Sequence, residues 1–343
     1  MPLLALLLAF ATPALMRAED WIVYQGKAGP GQGKHIVFLT GDEEYRGEEG
    51  LPMLAKILAE RQGFKCTVLF AIDPDGTINP DNGKSLPGAE ALDSADAIFM
   101  LLRFRAWPED QMNHFIAAYK RGVPIIGLRT STHAFNFPGG SSFHSYNEFG
   151  KEVFGEHWVN HWARHKQEAT RGIIEATAKD DPIFRGVSDI FGNTDVYEAY
   201  PPADAKILLR GQALAGMNPS DSPADYQKQR STDKQKQGIN DPMMPVAWTR
   251  EPKNDTGKVN RVFCTTMGAA TDLQNEGLRR LVVNAVFWGL NMEIPSKADV
   301  SYVDDYHPTM YGFGGYRRGI KPADHAIGMT LRPGIVKSEP KKE

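Results

Sequence analysis

Three histidines spaced four residues apart are the first groups in the sequence that could do chemistry. They are His157, His161 and His165, in a segment that also carries Trp158 and Trp162. On a helix, histidines at this spacing share a face and a pair could bind zinc, but three turns rarely converge on one ion. On a strand the three would be spread too far apart. The pattern therefore favours hydrogen bonds to a ligand and packing over a divalent metal site, and we predict no metal or other cofactor.

An arginine occupies the sharpest turn that the sequence predicts. The apolar run 123–128 indicates a buried strand, and it stops at Arg129, where Thr130 and Ser131 can cap a new helix. Strand, sharp turn and helix together form a nucleophile elbow, which places the turn residue at the carboxyl edge of a parallel sheet. An arginine cannot attack a carbonyl, but it can hold an anion or a ligand rich in hydroxyl groups. We expect His133 beside the same ligand.

Carboxylates and phenols follow two other predicted strands. Asp42, Glu43 and Tyr45 lie on the loop after the first strand, and Asp195 and Tyr197 lie further along the chain. Such groups serve general acid–base catalysis and hydrogen-bond sugar hydroxyls. Strand alternation would send Asp195 and Tyr197 to the same side. For the three loop residues, ligand binding and a structural role are equally open at this point.

The predicted site combines these groups. We assign catalysis to His133, His161, Asp195 and Tyr197. The predicted substrate-binding residues are Asp42, Glu43, Tyr45, Arg103, Arg105, Arg129, Thr130, Ser131, His157, His165 and Asp272. His161 or His133 would transfer protons near neutral pH. Asp195 would orient a partner or act as base, and Arg129 would stabilise developing negative charge.

Alternating strands and amphipathic helices must position these side chains. The first strands are predicted over residues 35–40, 64–71, 97–102 and 123–128, with helices from residue 48 and over residues 109–121. Further strands are predicted over residues 168–176, 205–210, 245–249 and 258–268, and a closing helix over residues 276–290. The polar segment 218–241 is predicted to be a surface excursion or lid. This alternation indicates an α/β fold with a doubly wound, mostly parallel, flavodoxin-like sheet.

The N-terminus has the pattern of a signal peptide. Residues 3–15 are almost wholly apolar, a run too short to span a membrane, and Ala14 and Ala18 offer cleavage sites. No basic residue precedes the run, so a buried N-terminal helix is the alternative. We predict export to the periplasm or the outside of the cell. The predicted organisation is a signal peptide over residues 1–18, a linker over 19–33, an α/β domain over 34–295 and a C-terminal extension over 296–343.

Composition excludes some partners. The net charge of −3 and the lack of a basic run with interleaved aromatics argue against nucleic acid as a partner. Cys66 and Cys264 lie in apolar runs and are predicted to be core residues, not a disulfide or metal ligands. In the C-terminal extension, the Gly-aromatic run 311–318 either wraps the domain or completes the site of a neighbouring subunit in a homo-oligomer.

Several motifs occur in a specific order between about residues 35 and 295. Besides the first strand and its loop, they are Pro124 to Arg129, His161, Asp181 to Ile183, Asp195 to Tyr197, Arg261 to Gly268 and Asn284 to Trp288. In this order they resemble the trehalose-utilisation (ThuA-like) family, within the class I glutamine amidotransferase-like fold. The resemblance implies a three-layer α/β sandwich and a link to sugar metabolism.

Two positions depart from the pattern of that family. Its Gly-x-His elbow is Gly127-Leu128-Arg129 here, and the histidine that commonly follows Thr-Thr-x-Gly is Ala269. Both changes remove an imidazole from the expected site, and Asp272, Arg103 and His161 are the candidates to compensate.

The resemblance and the residues together support two functions. The first is an exported enzyme that hydrolyses or isomerises a glycoside or keto-sugar, with a small carbohydrate as its partner. The second is a non-catalytic carbohydrate-binding protein that has lost the amidotransferase nucleophile. An amidotransferase or peptidase is disfavoured, because neither cysteine lies at the elbow and Ser131 would need His133 close to its hydroxyl.

Overall fold

The computed structural model describes residues 20–331, so the predicted signal peptide over residues 1–18 lies outside the described residues. The strands are β1 (Trp21–Gln25), β2 (His35–Gly41), β3 (Lys65–Leu69), β4 (Ala97–Leu102), β5 (Ile125–Leu128), β6 (Asn160–His161), β7 (Thr170–Ile174), β8 (Ile190–Gly192), β9 (Tyr197–Glu198), β10 (Lys206–Ala213), β11 (Gln227–Gln229), β12 (Lys236–Gly238), β13 (Met244–Arg250) and β14 (Val262–Thr265). The α-helices are α1 (Gly47–Gln62), α2 (Glu109–Lys120) and α3 (Glu276–Gly289).

A mixed ten-stranded sheet runs through the described part of the chain, in the order β1-β3-β2-β4-β5-β14-β13-β10-β7-β8. Its centre, from β3 to β14, is parallel. The strands on either side of this centre are antiparallel. The predicted α/β fold with a largely parallel, doubly wound sheet is confirmed.

Helices cover both faces of the parallel centre, which explains why its strands are continuous apolar runs. Alternate residues of β2 face opposite layers: Ile36 and Phe38 pack with α1 and α3, whereas Val37 and Leu39 pack with α2. All four side chains are fully buried. The result is the expected three-layer sandwich, in which strand ends, and not strand faces, remain accessible to a ligand.

The strand order of the sheet reverses at β2. The chain passes from β2 through α1 to β3 on one side, and then to β4 on the other side of β2. Ligands of open α/β sheets bind at such a switch point, outside the carboxyl ends of the strands. The loops that follow β2, β4 and β5 meet there, and they carry most of the predicted site residues.

Two local predictions were wrong. Trp21–Gln25, inside the predicted linker 19–33, forms β1, which pairs with β3. Tyr24 anchors this strand, because its ring is buried and its hydroxyl donates to the His325 carbonyl at 2.7 Å. At the elbow, Arg129–His133 is a 3₁₀ helix, not the start of an α-helix. The Thr130 and Ser131 side chains bond to Asp42 and to the Met100 carbonyl, so neither caps a helix.

The polar segment 218–241 contains the hairpin of β11 and β12. The hairpin packs behind the histidine-rich segment, because Lys228 Nζ donates to the carbonyls of His161 and Trp162 at 2.8 and 2.7 Å. It therefore supports the backbone that carries His161. Among residues 20–331 we find no helix with the length and apolar character needed to cross a bilayer.

Candidate functional site

Arg129 occupies the elbow but faces inward. Its φ of 39° lies in the left-handed region, where a non-glycine residue is strained. Its side chain is fully buried. The guanidinium donates to the carbonyls of Asp195 and Thr266 at 3.0 and 2.7 Å and to a carboxylate oxygen of Asp195 at 2.8 Å. The predicted ligand contact of Arg129 does not fit this position, because the guanidinium is buried and both of its terminal nitrogens donate to groups inside the protein.

Two phenol rings enclose this guanidinium. The Arg129 Cζ lies 4.4 Å from the centre of the Tyr45 ring and 4.0 Å from that of Tyr197. The Tyr197 hydroxyl donates to the Tyr45 hydroxyl at 3.2 Å, and both rings are buried. Burial raises the pKa of both phenols, so they stay neutral. Neither the predicted catalytic role of Tyr197 nor the predicted substrate contact of Tyr45 fits this position, because both side chains are shielded from solvent.

Asp195 connects this buried cation to the surface. Its carboxylate also faces the Nδ1 atoms of His161 and His165, at 2.7 and 3.0 Å. Burial by itself would raise the pKa of Asp195, but Arg129 and the two imidazoles outweigh burial and hold the pKa below its usual range. Asp195 is therefore an ionised carboxylate whose oxygens only accept hydrogen bonds.

His161 carries the open nitrogen of the site. Because ionised Asp195 can only accept, the Nδ1 atom of His161 must bear the proton of that hydrogen bond. Among residues 20–331, the His161 Nε2 atom has no hydrogen-bond partner, and the side chain is 31% exposed. A carboxylate behind Nδ1 and a free Nε2 is the arrangement that orients a histidine as a general base.

His165 bridges two carboxylates. Besides its Nδ1 contact with Asp195, its Nε2 lies 3.1 Å from Glu44. Hydrogen bonds to Asp195 and then Glu44 raise the pKa of His165 to about 9. The pKa of Glu44 is lowered, because its contact with His165 outweighs burial. His165 is thus an imidazolium with both N–H groups in use, a fixed positive charge that holds Asp195 in place beside His161.

We expect protonated His165 to stabilise the fold at neutral pH. The pKa of His165 is raised from 6.5 to about 9, so its contribution is complete below pH 6.5 and is lost as pH rises to about 9. Urea unfolding from pH 6 to 10, with EDTA present, should show the free energy of unfolding falling more steeply in wild type than in His165→Gln. His114→Gln, which alters a half-exposed imidazole paired with Asp93, is the control. Equal slopes in wild type and His165→Gln would contradict the bridge.

His133 lies beside His161 in a different environment. Its ring packs between Phe104 and Trp158, with ring centres 5.1 and 5.9 Å away. Burial and then the nearby cations, first Arg103, lower the pKa of His133 to about 3. A ring with this lowered pKa is neutral, which fits hydrogen bonding better than the proton transfer predicted for His161 or His133. A neutral imidazole at this position can still exchange hydrogen bonds with a ligand.

Several predicted binding residues hold the loops from inside. Asp42 is fully buried and accepts from the backbone N–H groups of Glu44 and Tyr45. Ser131 is fully buried and donates to the Met100 carbonyl at 2.9 Å, so it is not a nucleophile. Asp272 is also buried and accepts four hydrogen bonds, two from Thr194 and two from backbone N–H groups. These side chains are buried and bonded inside the protein, and the predicted ligand contacts do not fit such positions.

Of the two arginines after β4, one is buried and one is partly exposed. Arg105 is buried, and it bonds to Glu43 at 3.0 Å and to three backbone carbonyls. Arg103 also pairs with Glu43, but its side chain is 21% exposed and that of Glu43 is 18% exposed. Arg103 is therefore the predicted arginine that can reach a ligand, and Arg105 is structural.

His157 does not join the other two histidines. Its side chain is 53% exposed, with Nδ1 3.7 Å from Glu156. Within the described residues, the group that could share a divalent ion is His161, His165 and Asp195, whose candidate ligand atoms lie within 4.8 Å of one another. The predicted set of His157, His161 and His165 is not brought together. The hydrogen bonds from His161 and His165 to the Asp195 carboxylate explain why these three groups lie close together.

The C-terminal extension forms one side of the site. Its described part, up to residue 331, wraps the same chain. Tyr311 stacks on Tyr45 with ring centres 5.3 Å apart and lies 5.6 Å from the His165 ring. The backbone N–H of Gly312 donates to the Glu44 carbonyl at 2.8 Å. Of the two predicted roles of the run 311–318, these contacts show the first, in which the run wraps its own domain.

Sequence reasoning missed Glu44 beside His165 and the ring of Phe104 beside His133. The acidic run from Asp42 held the signal for Glu44, but only the loop conformation decides which carboxylate faces His165. Of the two tryptophans in the histidine-rich segment, Trp162 is fully buried and donates to the Ile239 carbonyl, whereas Trp158 is 37% exposed.

Comparison with known proteins places this geometry in a family. The chain matches the ThuA model, described as trehalose utilisation, over residues 35–289. A ThuA-like protein from Parabacteroides merdae is 11% identical, with a TM-score of 0.46, and the match covers 82% of this chain and 97% of that one. For a ThuA-like protein from Bacteroides uniformis the identity is 15%, the TM-score 0.46 and the coverage 80% and 96%. Comparison with curated proteins gave no match. Because the family model matches more than half of the chain, the protein belongs to the ThuA family.

Proposed function

We propose that this protein acts on a carbohydrate with His161 as general base, in the hydrolysis or isomerisation of a glycoside or keto-sugar. The observation that carries the proposal is the open Nε2 of His161, backed by ionised, buried Asp195. Family membership supports a sugar as the substrate. The reaction would need no covalent nucleophile. In hydrolysis His161 would take a proton from the attacking water and return it to the departing sugar oxygen. In isomerisation it would take a proton from a carbon next to a carbonyl and return it to the former carbonyl carbon, while the hydroxyl proton moves to the former carbonyl oxygen.

Each exposed group beside His161 has a part in this chemistry. Trp158 is 37% exposed with its ring centre 5.8 Å from that of His161, so it offers an apolar face to a sugar ring. Neutral His133 and half-buried Arg103 would hydrogen-bond the sugar hydroxyls. Charged His165 would keep Asp195 ionised and hold its carboxylate in place behind His161. Glu44 and Asp195 are too buried to flank a glycosidic bond as a pair of catalytic carboxylates.

The second candidate is a carbohydrate-binding protein without turnover. The residue at the elbow is a buried arginine, and both cysteines are buried in the core, as predicted. Burial raises the pKa of each thiol, so neither supplies a thiolate nucleophile. An aromatic platform beside the histidines would bind a sugar whether or not His161 acts as a base.

The test of the proposed function is product formation from keto-disaccharides, followed by NMR. We expect wild type to form product and His161→Gln to lose about 10²-fold or more in kcat, because the base is gone. Calorimetry should show that sugar binding by His161→Gln is nearly unchanged. His114→Gln, at a separate His–Asp pair on α2, should match wild type in both measurements.

The outcomes separate the two candidates. Sugar binding without product in every variant would favour the binding protein. Product formation by His161→Gln at the wild-type rate would reject His161 as the base. The signal-peptide pattern in residues 1–18 supports export, which the N-terminal residue of the mature protein, measured by mass spectrometry, would test.

A further inference from the structure

A continuous row of four rings, three of them exposed, and one guanidinium leads away from His161. We call Trp158, His133, Phe104, Arg103 and Phe313 the aromatic row. Ring centres are 5.9 Å apart for Trp158 and His133 and 5.1 Å apart for His133 and Phe104. The Arg103 guanidinium then lies 4.5 Å from the Phe104 ring and 5.1 Å from the Phe313 ring. The row starts at the proposed base and ends on the C-terminal extension.

Three aromatic side chains of the row are unusually accessible. Trp158 is 37% exposed, Phe104 39% and Phe313 61%. Single exposed apolar side chains need no explanation, but several that adjoin one another and a catalytic group indicate a binding surface. Such rings lose the stabilisation that burial in the core would provide.

Backbone conformation also holds these rings in place. Phe104 has a φ of 52°, a left-handed conformation that is strained for a bulky side chain, and its N–H donates to the His133 carbonyl at 3.0 Å. Phe313 lies between Gly312 and Gly314, whose φ values are 148° and 68°. The bond from Gly312 to the Glu44 carbonyl fastens this turn to the site. The strain at Phe104 is a second, independent sign that the row has a function.

The chemistry of the row suits a neutral, hydroxyl-rich chain. Sugar rings present apolar C–H faces to aromatic rings and hydroxyl groups at their edges, which a guanidinium and an imidazole can bind. Arg103 is paired with Glu43, so the row carries no uncompensated positive charge that would select an anionic ligand. Its members follow one another in single file, which fits an extended chain better than the broad surface of a protein partner.

We propose that the aromatic row is a set of subsites for a neutral oligosaccharide, with one sugar at Trp158 and further sugars toward Phe104 and Phe313. This inference rests on the proposed function, because Trp158 adjoins His161. Phe313 is the distal contact. It lies in the C-terminal extension, beyond the residues 35–289 that the family model matches. The substrate would therefore be longer than one sugar, and the extension would contribute to its selection.

Calorimetric titration with gluco-oligosaccharides of one to four units, in α-linked and β-linked series, tests the subsites. We expect wild-type affinity to increase with length in one series, and Phe313→Ala to remove about tenfold of the affinity for the longer members. Glucose affinity should be the same in both proteins. Phe313→Trp should retain the dependence on length, and Ile327→Ala, at an exposed residue outside the row, should match wild type.

Three results would overturn the inference. Equal loss for glucose and the longer sugars in Phe313→Ala would mean that Phe313 acts on the whole site. Binding of glucose with no gain at any length would remove the distal subsites but leave the proposed function standing. Failure of wild type to bind any member would overturn both.

Discussion

Replacing Arg129 with methionine should lower the free energy of unfolding by about 3–5 kcal/mol, since removing one partner leaves a buried charge uncompensated. Arg129 and Asp195 are both essentially without solvent exposure, and the guanidinium also satisfies two backbone carbonyls. Methionine can fill much of the space between the Tyr45 and Tyr197 rings, so the loss would come from the charge more than from a cavity. Urea unfolding at pH 7 measures it.

Two further variants identify the origin of that loss. The double variant Arg129→Met with Asp195→Asn should recover part of the stability, because the orphaned carboxylate is gone. Arg103→Met, at a partly exposed ion pair, should cost about 1 kcal/mol or less. A loss below about 1 kcal/mol in Arg129→Met would show that Asp195 does not depend on this cation.

Changing Asp195 to asparagine should reduce kcat for a keto-disaccharide by about 10³–10⁴-fold. The amide introduced by Asp195→Asn could donate a hydrogen bond to the Nδ1 atom of His161, which would favour the tautomer with its proton on Nε2. The lone pair of the base would then point away from the substrate. The ring ¹⁵N signals of His161 report the tautomer directly, and they should show Nδ1–H in wild type and Nε2–H in the variant.

The control for this change is Asp93→Asn, which alters the carboxylate partner of His114 on the surface. It should leave kcat unchanged. Circular dichroism and urea unfolding must show that the Asp195→Asn variant is folded under assay conditions. If its kcat stayed within tenfold of wild type while the tautomer changed, His161 would not be the base.

The sequence was sufficient to predict the layers of the fold. Buried parallel strands are apolar along their whole length, and helices such as α3 show a clear amphipathic period, so both could be located without coordinates. Strand ends were also predictable, which brought the residues near Asp42, Arg103 and Arg129 to one edge of the sheet. His161 and Asp195 lie in or beside the separate two-stranded sheet of β6 and β9, so their pairing did not follow from those strand ends.

The direction of individual side chains could not be predicted. Arg129 and Asp42 looked like ligand-binding groups because polar residues at strand ends often face solvent. In the structure they face neighbouring loops, because the buried N–H groups and carbonyls of irregular segments must be satisfied. The bridge from Glu44 to His165 joins residues far apart in sequence, and the four-residue spacing of the histidines does not indicate which carboxylate faces His165.

Under the proposed function, the α/β domain and the C-terminal extension would have different tasks. His161 and Asp195 belong to the portion that the family model matches, whereas Tyr311 and Phe313 lie beyond it. A homologue with the same domain but a different tail would keep the reacting groups and acquire a new entrance. Selectivity in such proteins could then change through the tail alone, without disturbing the charges buried beneath the histidines.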